Sequence, residues 1–149
     1  MNPESHALLV LSFTPGLGPV LTRRLIGELG SAINILNASE SLLRQVEGIG
    51  PQRAASIAKG TRDARVRADE EIAAANKAGV RLLCLGEPDY PALLAPLDDA
   101  PTVISVMGTV DPARDAFPVA IVGSRDCSAY GIEQAERFGG VLAQAGLTV

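Results

Sequence analysis

The sequence predicts a mixed α/β chain, with an all-α domain over residues 1–75 and the first part of a parallel-sheet domain over residues 76–149. Two observations carry this prediction. Apolar residues recur three and four positions apart up to Gly79, which is the period of a helix. Beyond Gly79 they form short continuous runs, which are typical of strands. The 149 residues, 47% of them hydrophobic, suffice for one small domain and part of another.

The all-α part contains a short pattern that occurs twice. Pro15-Gly16-Leu17-Gly18-Pro19 and Glu47-Gly48-Ile49-Gly50-Pro51 each lie between two helical stretches, the leading ones at residues 6–13 and 39–46. Glycine permits a tight turn, and proline suits the first turn of a helix. The unit resembles the helix-hairpin-helix motif. Two copies predict a five-helix domain, a shape shared with interaction domains of the sterile-alpha-motif (SAM) type.

Each of these turns predicts a contact with DNA or, alternatively, with another protein. Free N–H groups and the positive dipole end of the following helix point outward from such a turn, and a phosphate group fits there. The second turn is the better candidate because basic residues follow it. We therefore take Gly48, Gly50 and Arg53 as candidate DNA contacts. A protein-interaction module remains open, and burial of this turn in the α/β domain would favour it.

The remaining elements follow in chain order. An Ala-rich helix is expected from residue 62 to 78, ended by Gly79. Strands are expected at residues 80–85 and 102–107, separated by a proline-rich segment that excludes a long helix. The apolar run at residues 118–122 predicts a strand buried on both faces.

The last part of the chain reads as strand, glycine turn, helix and strand. Gly123-Ser124-Arg125 follows the buried run, Ser128 is a candidate N-cap, and a helix is expected at residues 129–145 before a new strand at 147–149. This is half of a doubly wound, Rossmann-like unit. Because such a sheet needs more strands, we expect the sequence to be a piece of a longer protein.

Charge and composition narrow the function classes. The net charge is −4, but residues 1–67 hold eight Lys/Arg against five Asp/Glu, and residues 68–149 hold five against twelve. The basic residues between 44 and 67 are ordinarily a solvated helix face. Cys84 and Cys127 fit no metal-ligand spacing, and the lone His6 cannot build a metal site or a triad. We expect no cofactor, no metal, no signal peptide and no membrane span, and a cytoplasmic chain.

The turn after the third strand is the main candidate site. The Arg125 guanidinium is suited to a bidentate phosphate contact, and Gly123 lets a DNA backbone approach. Ser124 and Ser128 can donate hydroxyl hydrogen bonds. Tyr130 is a candidate for stacking on a base. The simpler alternatives are that Arg125 pairs with a local carboxylate such as Asp126, and that Tyr130 packs against its helix.

These motifs together resemble one known family. Asp89-Tyr90-Pro91, Leu94, Asp98-Asp99, Pro101 and Gly108 are similar to the approach to the Rossmann-like domain of the DNA-processing protein A family (DprA, or Smf). The stretch from Ile121 to Gly131 is similar to that domain's opening strand and loop. The resemblance implies a non-enzymatic protein of natural transformation. Such proteins bind and protect incoming single-stranded DNA, help to load the RecA recombinase in DNA recombination, and form homodimers.

One enzymatic alternative shares part of the pattern. Gly-Ser-Arg after a buried strand also occurs in Rossmann-type enzymes that hydrolyse nucleotide phosphoribosyl bonds. Such enzymes carry a downstream glutamate- and glycine-rich motif that this sequence lacks, and the two N-terminal turns have no place in them.

Overall fold

A computed structural model describes residues 1–111 and 113–149 of the chain, which contain six α-helices and two β-strands. The chain divides into two compact units, an N-terminal unit at Met1–Thr109 and a C-terminal unit at Val110–Val149. The described chain is thus mixed helix and strand, as the sequence predicts. The domain boundary between residues 75 and 76 stays a prediction.

Five helices form most of the N-terminal unit. They are α1 at Pro3–Phe13, α2 at Pro19–Leu29, α3 at Ala32–Asn37, α4 at Glu40–Leu43 and α5 at Pro51–Ala78. Side chains cap three of them, as Asn2, Ser31 and Ser39 each accept a hydrogen bond from a backbone N–H in the first turn. The number of helices is five, as expected, but they are not the same five helices that the sequence predicted.

Two of these helices differ from those that the sequence predicts. Helix α3 was not predicted, because its six residues are too short to show a helical period. Helix α5 is continuous over 28 residues, although the sequence suggested one helix after the second turn and another from residue 62. It is about 42 Å long at 1.5 Å per residue. Gly79 ends it as predicted.

The two strands of the N-terminal unit form an antiparallel pair. Strand β1 at Val80–Cys84 and strand β2 at Val103–Met107 pair with Val80 opposite Met107 and Cys84 opposite Val103. Both strands were predicted to within one residue at each end. They pack on the helices, since Cys84 belongs to the same buried cluster as the cores of α1 and α2.

The core of the N-terminal unit consists of aliphatic side chains from all five helices. Its largest fully buried members are Leu11, Leu25, Ile35, Leu43, Ile57, Val10, Thr22 and Cys84. The proline-rich segment between the strands is held by a hydrogen bond within it, from Tyr90, and by hydrogen bonds from Arg23 of α2. The Tyr90 hydroxyl donates to the Pro101 carbonyl at 2.6 Å, and Arg23 Nη1 donates to the carbonyls of Ala95 and Leu97 at 2.8 and 2.7 Å.

The C-terminal unit contains helix α6 at Ala129–Gln144 and a short 3-10 helix at Arg114–Ala116. The prediction of a strand at residues 118–122 is wrong. Its described residues form a single parallel bridge, Pro118 to Thr148, and Val122 is 89% exposed. A two-residue bridge supplies too few ladder hydrogen bonds to hold a strand, and the strand expected at residues 147–149 is absent for the same reason.

Helix α6 confirms the expected span and cap, but its apolar face is exposed. Ser128 Oγ accepts a hydrogen bond from the Gly131 N–H at 3.2 Å. None of its residues is buried, and Phe138 and Val141 are 59% and 58% exposed. Among the described residues, no helix is long and apolar enough to cross a membrane.

Candidate nucleic-acid interface

The two Gly-x-Gly turns of the N-terminal unit have the same local geometry. The first glycine of each lies in the left-handed region, with φ of 83° at Gly16 and 87° at Gly48. The second glycine of each, Gly18 or Gly50, is an extended N-cap without a side-chain bond to the helix, and a proline follows it. The first glycine is therefore required by backbone conformation. The repeat seen in the sequence is a structural repeat as well.

Two arginines connect these turns. Arg24, on the helix after the first turn, donates from Nη1 to the Glu47 carbonyl of the second turn at 3.0 Å. Arg53, on the helix after the second turn, donates from Nη1 to the Gly48 carbonyl at 2.8 Å. Its Cγ lies 3.8 Å from the position that a Cβ at Gly16 would take. The two turns therefore lie side by side.

A cleft of about 250 Å³ opens beside the arginine pair. We call it the two-turn cleft, and its lining residues are Gly16, Gly18, Pro19, Val20, Leu21, Arg24 and Arg53. Gly48 and Gly50 are exposed, whereas Ile49 between them is buried in the core. DNA contact and protein contact at this turn both stay predictions.

The candidate site of the C-terminal unit lies in the irregular segment before α6. Gly123, Ser124, Arg125 and Ser128 are all exposed there. The Ser124 hydroxyl donates to the Asp126 carbonyl at 3.1 Å and accepts from the Asp126 N–H at 3.3 Å, which closes a small turn. Since Ser128 Oγ accepts from Gly131, its own hydrogen remains available for a ligand.

The Arg125 side chain forms no ion pair or hydrogen bond with any residue in the described part of the chain. The ion pairs found there are His6–Asp69 at 2.9 Å and Arg81–Asp89 at 3.1 Å. The pairing of Arg125 with Asp126 that the simpler interpretation required is absent. Tyr130 is 70% exposed, so its ring is accessible rather than packed. Their roles as DNA contacts stay predictions.

The two cysteines considered in the sequence differ in burial, and neither belongs to a group of metal ligands among the described residues. Cys84 is fully buried, and its thiol donates to the Ser5 carbonyl at 3.5 Å. Burial, which outweighs the opposing effect of the Ser5 contact, raises the pKa of the Cys84 thiol to about 11. Cys127 is exposed. Among the described residues, no group of three or more His, Cys, Asp or Glu side chains could hold a metal ion.

Sequence reasoning missed Arg24. The first turn was the weaker candidate because few basic residues follow it, and Arg23 and Arg24 were not distinguishable from the sequence. In the structure Arg23 holds the proline-rich segment, while Arg24 reaches the second turn. The one usable signal is the helical period, since adjacent residues point about 100° apart and serve different neighbours.

Comparison with known proteins agrees with the motifs. The family model described as DNA recombination-mediator protein A matches residues 81–149. The Protein Smf of Synechocystis sp. is 28% identical over 151 residues, which cover 99% of this chain and 37% of Smf. The chain therefore spans little more than a third of the length of this relative.

Proposed function

We propose that the chain belongs to the DNA recombination-mediator protein A family (DprA/Smf) and that it binds single-stranded DNA by the phosphate groups of the strand. One observation carries this proposal. The Arg125 guanidinium is exposed and unpaired within the described chain, and it lies in a glycine- and serine-containing loop beside the N-terminus of α6.

The chemistry of this loop suits a phosphate better than a base. A guanidinium presents a planar fork of donors that matches two phosphate oxygens. The free hydrogen of Ser128 can add a third donor, and Gly123 has open space around the position of a Cβ. The Ser124 hydroxyl is already hydrogen-bonded to the backbone of Asp126, and it therefore shapes the loop. Contacts of this kind carry no sequence information, as expected for a protein that accepts any strand.

Tyr130 and the second turn supply further contacts in this proposal. An exposed tyrosine ring can stack on any base, which gives sequence-tolerant affinity for single strands. The exposed turn at Gly48 and Gly50, with Arg53 beside it, offers backbone N–H groups and positive charge to a phosphate.

The finer identity of the domains is part of the same proposal. The parallel bridge between Pro118 and Thr148, with α6 between them, supports the proposal that a Rossmann-like sheet begins here. The two equivalent turns among five helices support a helix-hairpin-helix or SAM-like domain within residues 1–75. For the longer protein we propose RecA loading during natural transformation, homodimer formation, a cytoplasmic location and no enzymatic activity.

The test is Arg125→Ala, measured by fluorescence anisotropy with a labelled oligothymidylate. Loss of a charge-assisted contact should weaken binding by about 1.5–3 kcal/mol. The slope of log K against log salt should fall by about 0.7, which is one phosphate's worth on a single strand. Arg125→Lys should restore only part of the affinity, because an ammonium lacks the planar fork.

Arg137→Ala is the matched control, since it removes an exposed arginine from α6 in the same unit. It should leave the affinity and the salt slope close to those of the wild type. A stably folded Arg125→Ala variant with unchanged affinity would refute the loop as the DNA site. A large fall in melting temperature of that variant would instead indicate that Arg125 stabilises the loop.

A further inference from the structure

The two-turn cleft has a feature that neither turn has alone. It is lined by two guanidinium groups that are 29 positions apart in sequence, Arg24 on α2 and Arg53 on α5. Each uses one Nη1 for a single backbone carbonyl of the second turn. A guanidinium has five N–H donors, so most of those on both arginines are available for a ligand.

The surroundings of this pair leave its charge uncompensated. Neither arginine forms an ion pair with a carboxylate in the described chain, and none of the residues that line the cleft is acidic. Glu47 contributes its carbonyl oxygen to Arg24. Both guanidinium groups are bonded to consecutive carbonyls of the same turn, and two like charges repel each other. An anion between them would relieve this repulsion.

The lining of the cleft leaves room for a phosphate group. Gly16 and Gly18 are among its lining residues, and no atom lies within 4 Å of the position that a Cβ of Gly18 would take. The absence of a side chain at Gly18 lets the backbone of a ligand approach closely there. Planar guanidinium forks match the oxygens of a phosphodiester, which carries its charge on the chain itself.

We infer that the two-turn cleft is a phosphodiester-binding site for a nucleic-acid strand, with Arg24 and Arg53 as its paired contacts. This inference rests on the proposed function but concerns a different unit from the Arg125 loop. It assigns a binding role to Arg24 and to the first turn. The two arginines also hold the turns side by side. The hydrogen bonds from Arg24 and Arg53 to the turn carbonyls therefore form the cleft and also orient the guanidinium groups that bind the phosphate.

The experiment compares Arg24→Ala, Arg53→Ala and Arg62→Ala by anisotropy with a labelled oligothymidylate. Arg62 is an exposed cation of the same helix as Arg53, outside the cleft, and is the matched control for lost charge. Each cleft variant should weaken binding about tenfold or more, as expected for a charge-assisted contact. Arg62→Ala should weaken it about twofold or less, because solvent screens an isolated surface charge.

Loss of the carbonyl bonds could also loosen the turns, so lysine variants are needed. Arg24→Lys and Arg53→Lys keep the charge and one donor for the carbonyl, and should melt as the wild type does. Their affinity should stay several-fold below the wild type, because lysine cannot make the bidentate contact. Lysine variants with wild-type affinity would overturn the phosphate fork, as would alanine variants that bind no more weakly than Arg62→Ala.

Two further measurements separate the competing explanations. Polyphosphate should displace the oligothymidylate from the wild type at far lower charge concentration than poly-L-glutamate does. The reverse order would overturn the inference in favour of an acidic protein segment. If Arg125→Ala weakens binding and the cleft variants do not, the cleft alone is refuted. If the wild type binds no oligothymidylate, the proposed function is refuted with it.

Discussion

At the scale of single residues, the arginines of this chain divide into groups that its charge count does not reveal. Arg23 holds two carbonyls of the proline-rich segment, and Arg67 lies 4.8 Å from the centre of the Phe13 ring. Arg81 pairs with Asp89. Arg24 and Arg53 line the two-turn cleft. Arg23, Arg67 and Arg81 thus contact only other parts of the fold, whereas Arg24 and Arg53 hold the turns and keep further donors available to a ligand. The net charge of −4 conceals this difference.

The two cysteines should differ sharply in reactivity. Because the thiolate is the reactive form, a fully buried thiol with a pKa of about 11 should be inert at pH 8, whereas the exposed Cys127 should react. Titration with a thiol reagent should show one fast equivalent in the native chain and a second only after denaturation. Cys127→Ser should abolish the fast phase. Two fast equivalents would contradict the buried position of Cys84.

The same burial makes stability depend on alkaline pH. The pKa of Cys84 is raised from 9.0 to about 11 in the folded chain, and burial also raises the pKa of the Tyr90 phenol. The unfolded chain therefore releases these protons first as the pH rises. Stability should be constant below about pH 9 and fall between pH 9 and 11. Urea melts across this range should show a smaller fall for Cys84→Ala, and an equal fall would contradict the assignment.

At the scale of elements, helix α5 contains one glycine that its neighbours require. A Cβ at Gly60 would lie 2.8 Å from Cδ of Pro15, an atom of a rigid ring at the first turn. Gly→Ala within a helix ordinarily stabilises by about 1 kcal/mol. Here the contact should reverse the sign, and Gly60→Ala should destabilise by about 1–3 kcal/mol.

Gly27→Ala in α2 is the control for this comparison, because nothing lies within 4 Å of its added Cβ. It should show the ordinary stabilisation of a helix interior, up to about 1 kcal/mol. Chemical denaturation of both variants would measure the difference. Equal stabilisation by the two substitutions would show that α5 and the first turn are less closely packed than in this structure.

The elements that the sequence predicted well are those whose signals are local. Both Gly-x-Gly turns, the cap at Ser128, the span of α6 and the spans of β1 and β2 follow from periodicity and capping. The antiparallel pairing of β1 with β2 was not predicted, because a parallel sheet was expected. Helix α3 was missed because six residues contain less than two helical turns. The strand at residues 118–122 failed because a strand depends on partners from elsewhere, and its apolar run cannot supply them.

The candidate site was predictable only in part, for a related reason. The residue types at Gly123–Ser128 and at the second turn were identified from motifs, since a motif records local backbone geometry. The bond from Arg24 to Glu47 joins residues 23 positions apart, and no local pattern records it. Which cations remain free of partners is likewise a property of tertiary contacts.

At the scale of the whole molecule, burial is unevenly distributed. Every buried residue in the described chain belongs to the N-terminal unit, the last in sequence being Thr102. The C-terminal unit exposes Val122, Phe138 and Val141, and its one long helix buries nothing completely. Because tertiary packing supplies most of the stability of a helix, the two units should differ widely in stability.

Hydrogen exchange should display this difference directly. An isolated helix of 16 residues is marginal in water, so amides of α6 should exchange within seconds in the dilute 149-residue chain. The buried face of α1 and the middle of α5 should exchange only through global unfolding, and thus far more slowly. Mass spectrometry of exchanged peptides would measure both in one sample.

The Arg125 loop would then adjoin a helix that opens frequently. DNA binding at that loop should slow exchange in α6, and Arg125→Ala should remove this effect. Protection of α6 equal to that of α1 in the free, dilute chain would contradict the uneven stability inferred from burial.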